Sequence, residues 1–379
     1  MTTTVTTPST TRRWTWRTRS ILFLIGAWLA FVLLHRLLSG RVWWWGVPEL
    51  APPIVFVLFP VIGLGLAALA RPVRWPAAAL AVLSLAAGAS LGGLNPGVLW
   101  HRPPPAPADA IDVFSWNTWY WDTPGNAGTE PPAGGTPAAD VDAFYAYLHE
   151  QDADVYLLQE YIYFNRDGRP VRVDADARLR QEFPGYRIDV VGELVTLSRL
   201  PVVEARPINL EPFLPAGRTL SKPGPADIAG TYYTDKALRT DIDVYGTVVS
   251  FYNSHVPTPV EMNAASFTPE RMSEAHDSRE ASFRALAADL AGNPRPAFVA
   301  GDLNTSPVMG IQRLIPDRLR DAGPALRSPY PVSWDDRRLG LWRIDWVFTT
   351  PDVTVHRYEL IPTRGQSDHR GQSLLLSLS

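Results

Sequence analysis

Apolar positions follow two regimes along the chain. Over the first hundred residues they form three long runs, Ile21 to Leu38, Ala51 to Ala70 and Trp75 to about Leu94, with no Asp or Glu inside any of them. Each run approaches the roughly 20 residues that a helix needs to cross a bilayer. Pro52, Pro53 and Pro60 lie in the second, which predicts a kink or a late helix start there. The alternative for each run is a buried core helix, but three in succession without an acidic residue are hard to place in a soluble protein. Beyond the prolines of 103–107 the pattern changes to short apolar runs that predict strands: Ile111–Trp116, Val155–Leu158, Arg187–Val191, Thr247–Asn253, Ala297–Ala300, Trp342–Phe348 and Ser373–Leu378. Helical periodicity appears at Ala139–Gln151 and Ser278–Leu290. Strands alternating with helices and Gly/Pro-rich loops, the latter at 123–138 and 211–230, predict an α/β or α+β domain.

The chain therefore divides into a tail over 1–19, three transmembrane helices over 20–100, a Pro-rich linker over 101–110 and a folded domain over 111–379. The Thr-rich tail has too few apolar residues to bury and is expected to be disordered. Charge sets the orientation of the spans. Arg12, Arg13, Arg17 and Arg19 precede the first run, and Arg71 and Arg74 separate the second from the third, whereas the other side carries only Arg36, Arg41 and Arg102. By the positive-inside rule the N-terminus is cytoplasmic, and three crossings put the domain outside. Trp43, Trp44 and Trp45 then fall in the outer loop, where indoles favour the headgroup zone. A cleaved signal peptide is the alternative for the first run, but no small-residue cleavage site follows Leu38.

Composition narrows the chemistry. There is no cysteine, which excludes disulfides, thiolate metal sites and cysteine nucleophiles. A formal net charge of -3 gives no broad basic surface for polyanions and weakens a nucleic-acid role. Lysine occurs only as Lys222 and Lys236 among many arginines, a bias that fits a GC-rich genome.

The informative polar residues sit at the ends of the strand-like runs. Asn117 follows Phe114-Ser115-Trp116, Glu160 closes Leu157-Leu158-Gln159, and His255 ends Tyr252-Asn253-Ser254. Asp302 and Asn304 end Ala300-Gly301, Asp345 opens Trp346-Val347-Phe348, and Asp368-His369 follow Ser367. Singly, each has an ordinary explanation as a turn residue, a cap or an ion-pair partner. As an ordered set they converge, because successive strand ends of a sheet line one rim. His35, His101, His149, His276 and His356 fit no such pattern and read as bystanders.

The order S-W-N, L-Q-E, N-x-H, G-D-L-N, R-I-D-W-V-F and S-D-H resembles the endonuclease/exonuclease/phosphatase superfamily, over about Ile111 to the C-terminus. The resemblance implies a DNase I-like four-layer α/β sandwich, with two packed mixed sheets flanked by helices. It also implies metal-dependent cleavage of phosphate esters. Such chemistry needs a Lewis acid, a positioned water and charge stabilisation, and hard oxygen donors suit Mg²⁺ or Mn²⁺. Glu160 and Asn117 are then the metal ligands, with Asp368 as a further ligand or supporting group. His369 contacts the scissile phosphate, oriented by Asp345 as in a triad. Asp302 positions or deprotonates the water, Asn304 contacts phosphate oxygen, and His255 is a second phosphate contact or the general acid. No organic cofactor is implied. One departure is Trp119, which stands where some nucleases of the group carry an aspartate and points towards a substrate other than nucleic acid. Its alternative role is packing, with Trp121, under the following loop.

Three spans ahead of such a domain resemble membrane-embedded members of the VanJ type from actinobacteria. That resemblance implies a phosphorylated membrane lipid as substrate, and a tethered site meets headgroups at high effective concentration. An extracytoplasmic nuclease or nucleotide phosphatase is the alternative, as is an inactive binding module on the same fold.

Overall fold

The computed structural model describes residues 14–71, 73–121, 141–164, 170–173, 175–220, 229–260, 267–334 and 340–378. The expected surface loop at 123–138, most of the tail and the first part of the helix expected from Ala139 lie outside these residues. Helices α1 (Trp16–Leu38), α2 (Gly46–Glu49), α3 (Val55–Ala67) and α4 (Arg74–Gly88) open the chain. Two compact units follow from its contacts: Met1–Leu38 with Pro53–Gly92, and Ser39–Pro52 with Gly93–Ser379.

In the first unit α1 starts at Trp16, so the last residues of the expected disordered tail are helical. Thr15 explains the early start, since its Oγ1 accepts a hydrogen bond from the Thr18 amide at 3.3 Å. The second apolar run starts late, as its prolines predict, and gives only the 13 residues of α3. At 1.5 Å per residue that is about 20 Å, short of a bilayer core of about 30 Å. Among the described residues two helices are long and apolar enough to cross a membrane, Trp16–Leu38 and Arg74–Leu91, rather than the three expected from run length alone. Ile25, Ala67, Ala77 and Ala81 form the small core between α1, α3 and α4. Phe23, Leu24, Phe59, Ile62, Leu69 and Leu83 stay exposed on the unit's outside.

The second unit is a mixed α/β sandwich. Its strands are β1 (Ile111–Asn117), β2 (Val155–Gln159), β3 (Ile162–Phe164), β4 (Pro170–Arg172), β5 (Arg187–Val191), β6 (Leu194–Ser198), β7 (Val202–Asn209), β8 (Asp235–Val244), β9 (Thr247–His255), β10 (Ala297–Asp302), β11 (Arg320–Asp321), β12 (Asp345–Thr349), β13 (Val353–Ile361) and β14 (Gly371–Leu378). Helices α5 (Val141–Gln151), α6 (Asp176–Glu182), α7 (Ala229–Thr234) and α8 (Pro269–Gly292) complete it. One six-stranded sheet runs β13-β14-β1-β2-β6-β5 and the other β11-β12-β10-β9-β8-β7. Each sheet has one parallel pair at its centre, β1 with β2 and β9 with β10.

Period-two alternation builds the layers. Val113, Val155 and Leu157 from one sheet meet Phe251, Phe298, Ala300 and Val347 from the other in a shared core. The alternate residues face outward: Phe114, Trp116, Tyr156 and Leu158 pack on Phe144 and Leu148 of α5, and Tyr252, Val299, Trp346 and Phe348 on Phe283 and Leu290 of α8. Strands covered on both faces have no polar side to show, which is why they read as continuous apolar runs.

Strands β7 and β8 do not read that way. Pro207 interrupts β7, and an edge strand is where a sheet tolerates proline. In β8 the charges pair with one another, Arg239 Nε donating to Asp241 Oδ1 at 2.8 Å, so a charged stretch is buried. These strands and α7 fall around the expected loop at 211–230, of which 221–228 lie outside the described residues.

Candidate active site

Topology brings the strand ends together. The C-terminal ends of the parallel pairs, carrying Asn117, Gln159, His255 and Asp302, point to the same rim as the N-terminal ends of β12 and β14, which pair antiparallel with β10 and β1. In register, Asp302 faces His255 on one side and Asp345 on the other. Ser367 ties the last motif to the first, its Oγ donating to Asn117 O at 2.8 Å and accepting from the His369 amide at 3.0 Å.

Beneath the rim, two motif residues join the sheets. Gln159 Nε2 donates to Asn253 Oδ1 at 2.6 Å, and Asn253 Nδ2 donates to Leu158 O at 2.9 Å and Val195 O at 3.0 Å. All of these groups are buried, so none finds water in place of its partner. Asn253→Ala is expected to lower the unfolding free energy by about 3 kcal/mol or more, read by denaturant titration, because several polar groups lose their partners at once.

The predicted site residues form one hydrogen-bonded cluster. Asn117 Nδ2 donates to Glu160 Oε1 and to Asp302 Oδ2, each at 3.0 Å. Asp302 Oδ1 accepts from the Asn304 amide at 2.7 Å, and Asn304 Nδ2 lies 3.4 Å from His255 Nε2. Asp302 Oδ2 stands 3.6 Å from Nε2 of both His255 and His369. His369 Nδ1 is 2.9 Å from Asp345 Oδ2, and the amides of Ile344 and Asp345 both donate to Ser333 Oγ at 3.0 Å to fix that turn. The backbone is forced to these positions. Glu160 and Asn304 both have left-handed φ, 65° and 47°. Next to Asp302, a Cβ on Gly301 would lie 2.0 Å from Ser254 O, so only glycine fits there.

Electrostatics follows from burial. Burial pushes the Glu160 carboxyl up to about 7, against His255 and the Asn117 hydrogen bond. Asp302 is also raised by burial, with His369 opposing and Asp345 reinforcing. Burial alone would lower His369, but Asp345 and Asp302 outweigh it and hold the imidazole well above its ordinary value. In His255 the same loss of solvent is outweighed by Glu193, and the net shift is upward.

Glu193, in the turn between β5 and β6, is the site residue that the sequence pattern missed. It is fully buried, its Oε2 lies 3.0 Å from His255 Nδ1, and its Oε1 accepts from Lys236 Nζ. A single glutamate in a Gly-Glu-Leu turn carries no local signal; only the pairing of β6 with β2 brings it under the rim. Asp368 stands at the margin, its Oδ2 accepting from Trp334 Nε1 at 2.9 Å and its Oδ1 lying 3.9 Å from His369 Nε2. Trp119 and Tyr120, half-buried with left-handed φ of 51° and 68°, flank Glu160, whose Oε2 accepts from the Tyr120 amide at 3.1 Å. Trp121 is buried against Phe144 and Tyr161, so packing accounts for it. Three of the five bystander histidines have partners elsewhere: His149 pairs with Glu182, His276 with Glu280, and His356 lies between Pro104 O and Ser377.

The donor set fits a divalent cation. Glu160 Oε1 lies 4.0 Å from His255 Nε2, and among the described residues neither lysine nor arginine pairs with it, so this buried carboxylate would be further stabilised by a cation. Asp368 Oδ1 is buried with no hydrogen-bond partner, again among the described residues. Asp302, Asp345 and His369 also offer ligand atoms within 4.8 Å of one another. However, His369 Nδ1 already faces both Asp345 oxygens, an arrangement that orients an imidazole rather than holding an ion.

Comparison with known proteins agrees with this geometry. The model of the Endonuclease/Exonuclease/phosphatase family matches residues 114–369. An endonuclease/exonuclease/phosphatase from Beutenbergia cavernae superposes with a TM-score of 0.50 at 19% identity, covering 71% of this chain and 72% of that one. A mannosyl-6-phosphatase from Bacteroides thetaiotaomicron gives 0.45 at 15% identity, covering 71% and 100%. Sphingomyelinase C from Streptomyces griseocarneus gives 0.44 at 16%, covering 70% and 99%. No curated protein matches by sequence.

Proposed function

The chain belongs to the Endonuclease/Exonuclease/phosphatase family, whose members typically hydrolyse phosphate esters, and from that premise we propose that it is a membrane-anchored, divalent-metal-dependent phosphoesterase. The convergence of Asn117, Glu160, His255, Asp302, Asn304, Asp345 and His369 on one rim carries this reading. Glu160 and Asn117, with Asp368, would hold Mg²⁺ or Mn²⁺, which when bound supplies Lewis-acid stabilisation of charge on the phosphate.

The chain's own groups supply the rest. Asn304 Nδ2, which donates to Val256 O at 3.0 Å and Asp302 Oδ2 at 3.2 Å, would exchange one of these bonds for a non-bridging oxygen beside His255. Asp302, raised by burial and fixed by two amides, orients the attacking water and accepts its proton. His369, kept protonated by Asp345 and Asp302, places positive charge beside the phosphorus as the new P–O bond forms and the ester P–O bond breaks. His255, held by Glu193, is placed to return a proton to the leaving oxygen.

The substrate we propose is a lipid-linked (pyro)phosphate or a phospholipid headgroup at the outer face of the membrane. Supporting it are the two apolar helices of spanning length, the apolar side chains exposed on the first unit, the arginines that flank the spans, and a formal net charge of -3. The test is a competition in vesicles. Full-length protein reconstituted with Mg²⁺ is offered a polyprenyl pyrophosphate, a phospholipid, a nucleotide and plasmid DNA. Preferred turnover of a lipid supports the proposal. Preferred turnover of DNA or nucleotide, falling steeply with salt, would replace it with a scavenging nuclease or nucleotidase.

A further inference from the structure

The segment Ser39–Pro52 follows the first apolar helix in sequence, yet it belongs to the unit that holds the active site. It is seated on the turn that follows Asp302 and Asn304. The Gly310 amide donates to Ser39 Oγ at 2.7 Å, and Ser39 Oγ donates to Glu49 Oε1 at 2.9 Å. Glu49 Oε1 also accepts from the Gly40 amide at 2.5 Å, so a buried carboxylate closes the strap on itself. The backbones touch. A Cβ on Gly40 would lie 2.2 Å from Ile311 N, and one on Gly310 would lie 2.4 Å from Ser39 O. Leu50 packs into the apolar cluster that contains Met309 and Ile311.

Behind that turn lies a buried arginine that the catalytic scheme leaves unused. Arg279, from the middle of α8, is 4% exposed. Its Nη1 donates to Pro257 O at 2.5 Å and its Nη2 to Thr305 Oγ1 at 2.8 Å. Pro257 lies two residues beyond His255 and Thr305 one beyond Asn304, so one planar guanidinium spans the two turns that present the phosphate donors. Among the described residues no carboxylate lies within ion-pair distance of Arg279. Burial lowers the group to about 10, and the charges that oppose this are Glu49 in the strap and Asp302 in the site. Its Nη2 also donates to Met309 Sδ at 3.6 Å, and a buried cation bonded to neutral acceptors depends on such charges to stay in place.

We propose that Arg279 is a positioning residue for His255 and Asn304, and that the strap Ser39–Pro52, through Glu49 and the clamp of Ser39 on Gly310, holds Arg279 and its turn in register. The segment beside the first apolar helix is thereby part of the catalytic apparatus. This inference rests on the phosphoesterase reading for its kinetic consequence but not for its structural one.

The experiment uses full-length protein in detergent with Mg²⁺, as wild type and as Ser39→Ala, Glu49→Gln and Arg279→Lys. A water-soluble aryl phosphodiester reports kcat and KM, and amide hydrogen exchange reports the backbone at 303–311. Glu49→Gln and Arg279→Lys are expected to lower kcat at least about tenfold, with KM little changed, because small misplacements of aligned groups are costly in rate. Lysine keeps the charge but cannot span both turns, so it gives no rescue. Exchange at Gly310 is expected to rise in Ser39→Ala and Glu49→Gln. Wild-type kcat in Glu49→Gln and Arg279→Lys, even with a lowered melting temperature, would overturn the proposal by leaving these groups a structural role alone. If the wild type turns over neither this ester nor the lipid, nucleotide and DNA substrates above, the phosphoesterase reading fails. Exchange then decides separately: unchanged protection at 303–311 sinks the strap, and increased exchange retains it.

Discussion

His369→Ala is expected to lower kcat by about 10²–10⁴-fold, the range for removing a positioned acid–base group, with a smaller change in KM. The imidazole is 6% exposed, bonded through Nδ1 to Asp345, and its Nε2 faces Asp302 across 3.6 Å. Two carboxylates on one ring keep it charged, and that charge is worth most where a buried site develops negative charge on phosphate. Alanine also leaves the buried Asp345 without its partner, and breaking a buried pair costs about 3–5 kcal/mol. Rates are therefore compared per folded molecule, with Asp345→Asn as the companion. That variant keeps the ring but removes its orienting charge, so it is expected to lose rate in the same direction and to lose less stability.

Glu160→Gln carries the second large effect, and its signature is dependence on metal. The substitution preserves shape and removes a carboxylate charge that lies against Asn117 and the Tyr120 amide. The Mg²⁺ concentration for half-maximal rate is expected to rise by more than about 10–100-fold, the cost typical of losing a group that merely supports a ligand. Melting curves give an independent readout. An ion that binds only the folded state raises its stability by RT ln(1 + [L]/Kd), so Mg²⁺ is expected to raise the melting temperature of the wild type and not of Glu160→Gln. Without metal the sign reverses. A carboxyl whose folded value is raised from 4.5 to about 7 destabilises the fold as pH climbs above its unfolded value, and the amide removes that penalty. Metal-free Glu160→Gln, which gives up one of the two acceptor oxygens but escapes the pH-dependent penalty, should then lose less stability than wild type as pH rises through neutrality.

What the sequence exposes and what it hides have a common physical origin. The central strands were legible because they are buried on both faces, and the residues that end them were legible because an apolar run makes its first polar neighbour conspicuous. Asn117, Glu160, His255, Asp302, Asn304 and Asp345 lie at or beside the ends of such runs, whereas His369 has polar neighbours on both sides and was legible only through the S-D-H motif. The fold brings all seven together. Asp368 sits at the edge, its Oδ2 bonded to Trp334 and its Oδ1 buried without a hydrogen-bond partner among the described residues. Charge pairing and an edge-strand proline hid β7 and β8. Glu193 and the strap at Ser39–Pro52 were hidden for a different reason. Their roles depend on which segments meet in space, and neither a Gly-Glu turn nor a Ser-Gly pair announces a partner far along the chain. The middle apolar run was legible as apolar but not in its helical length, which Pro52 and Pro53 shorten.

The measurement that bears most directly on the central claim is hydrolysis of a bis-aryl phosphodiester by full-length protein, with Mg²⁺ and with EDTA, beside His369→Ala. Metal-dependent turnover that disappears in the variant is the result predicted here. Folded, Mg²⁺-binding protein without turnover on this or on membrane-presented substrates would contradict it, leaving a binding module on a phosphoesterase fold.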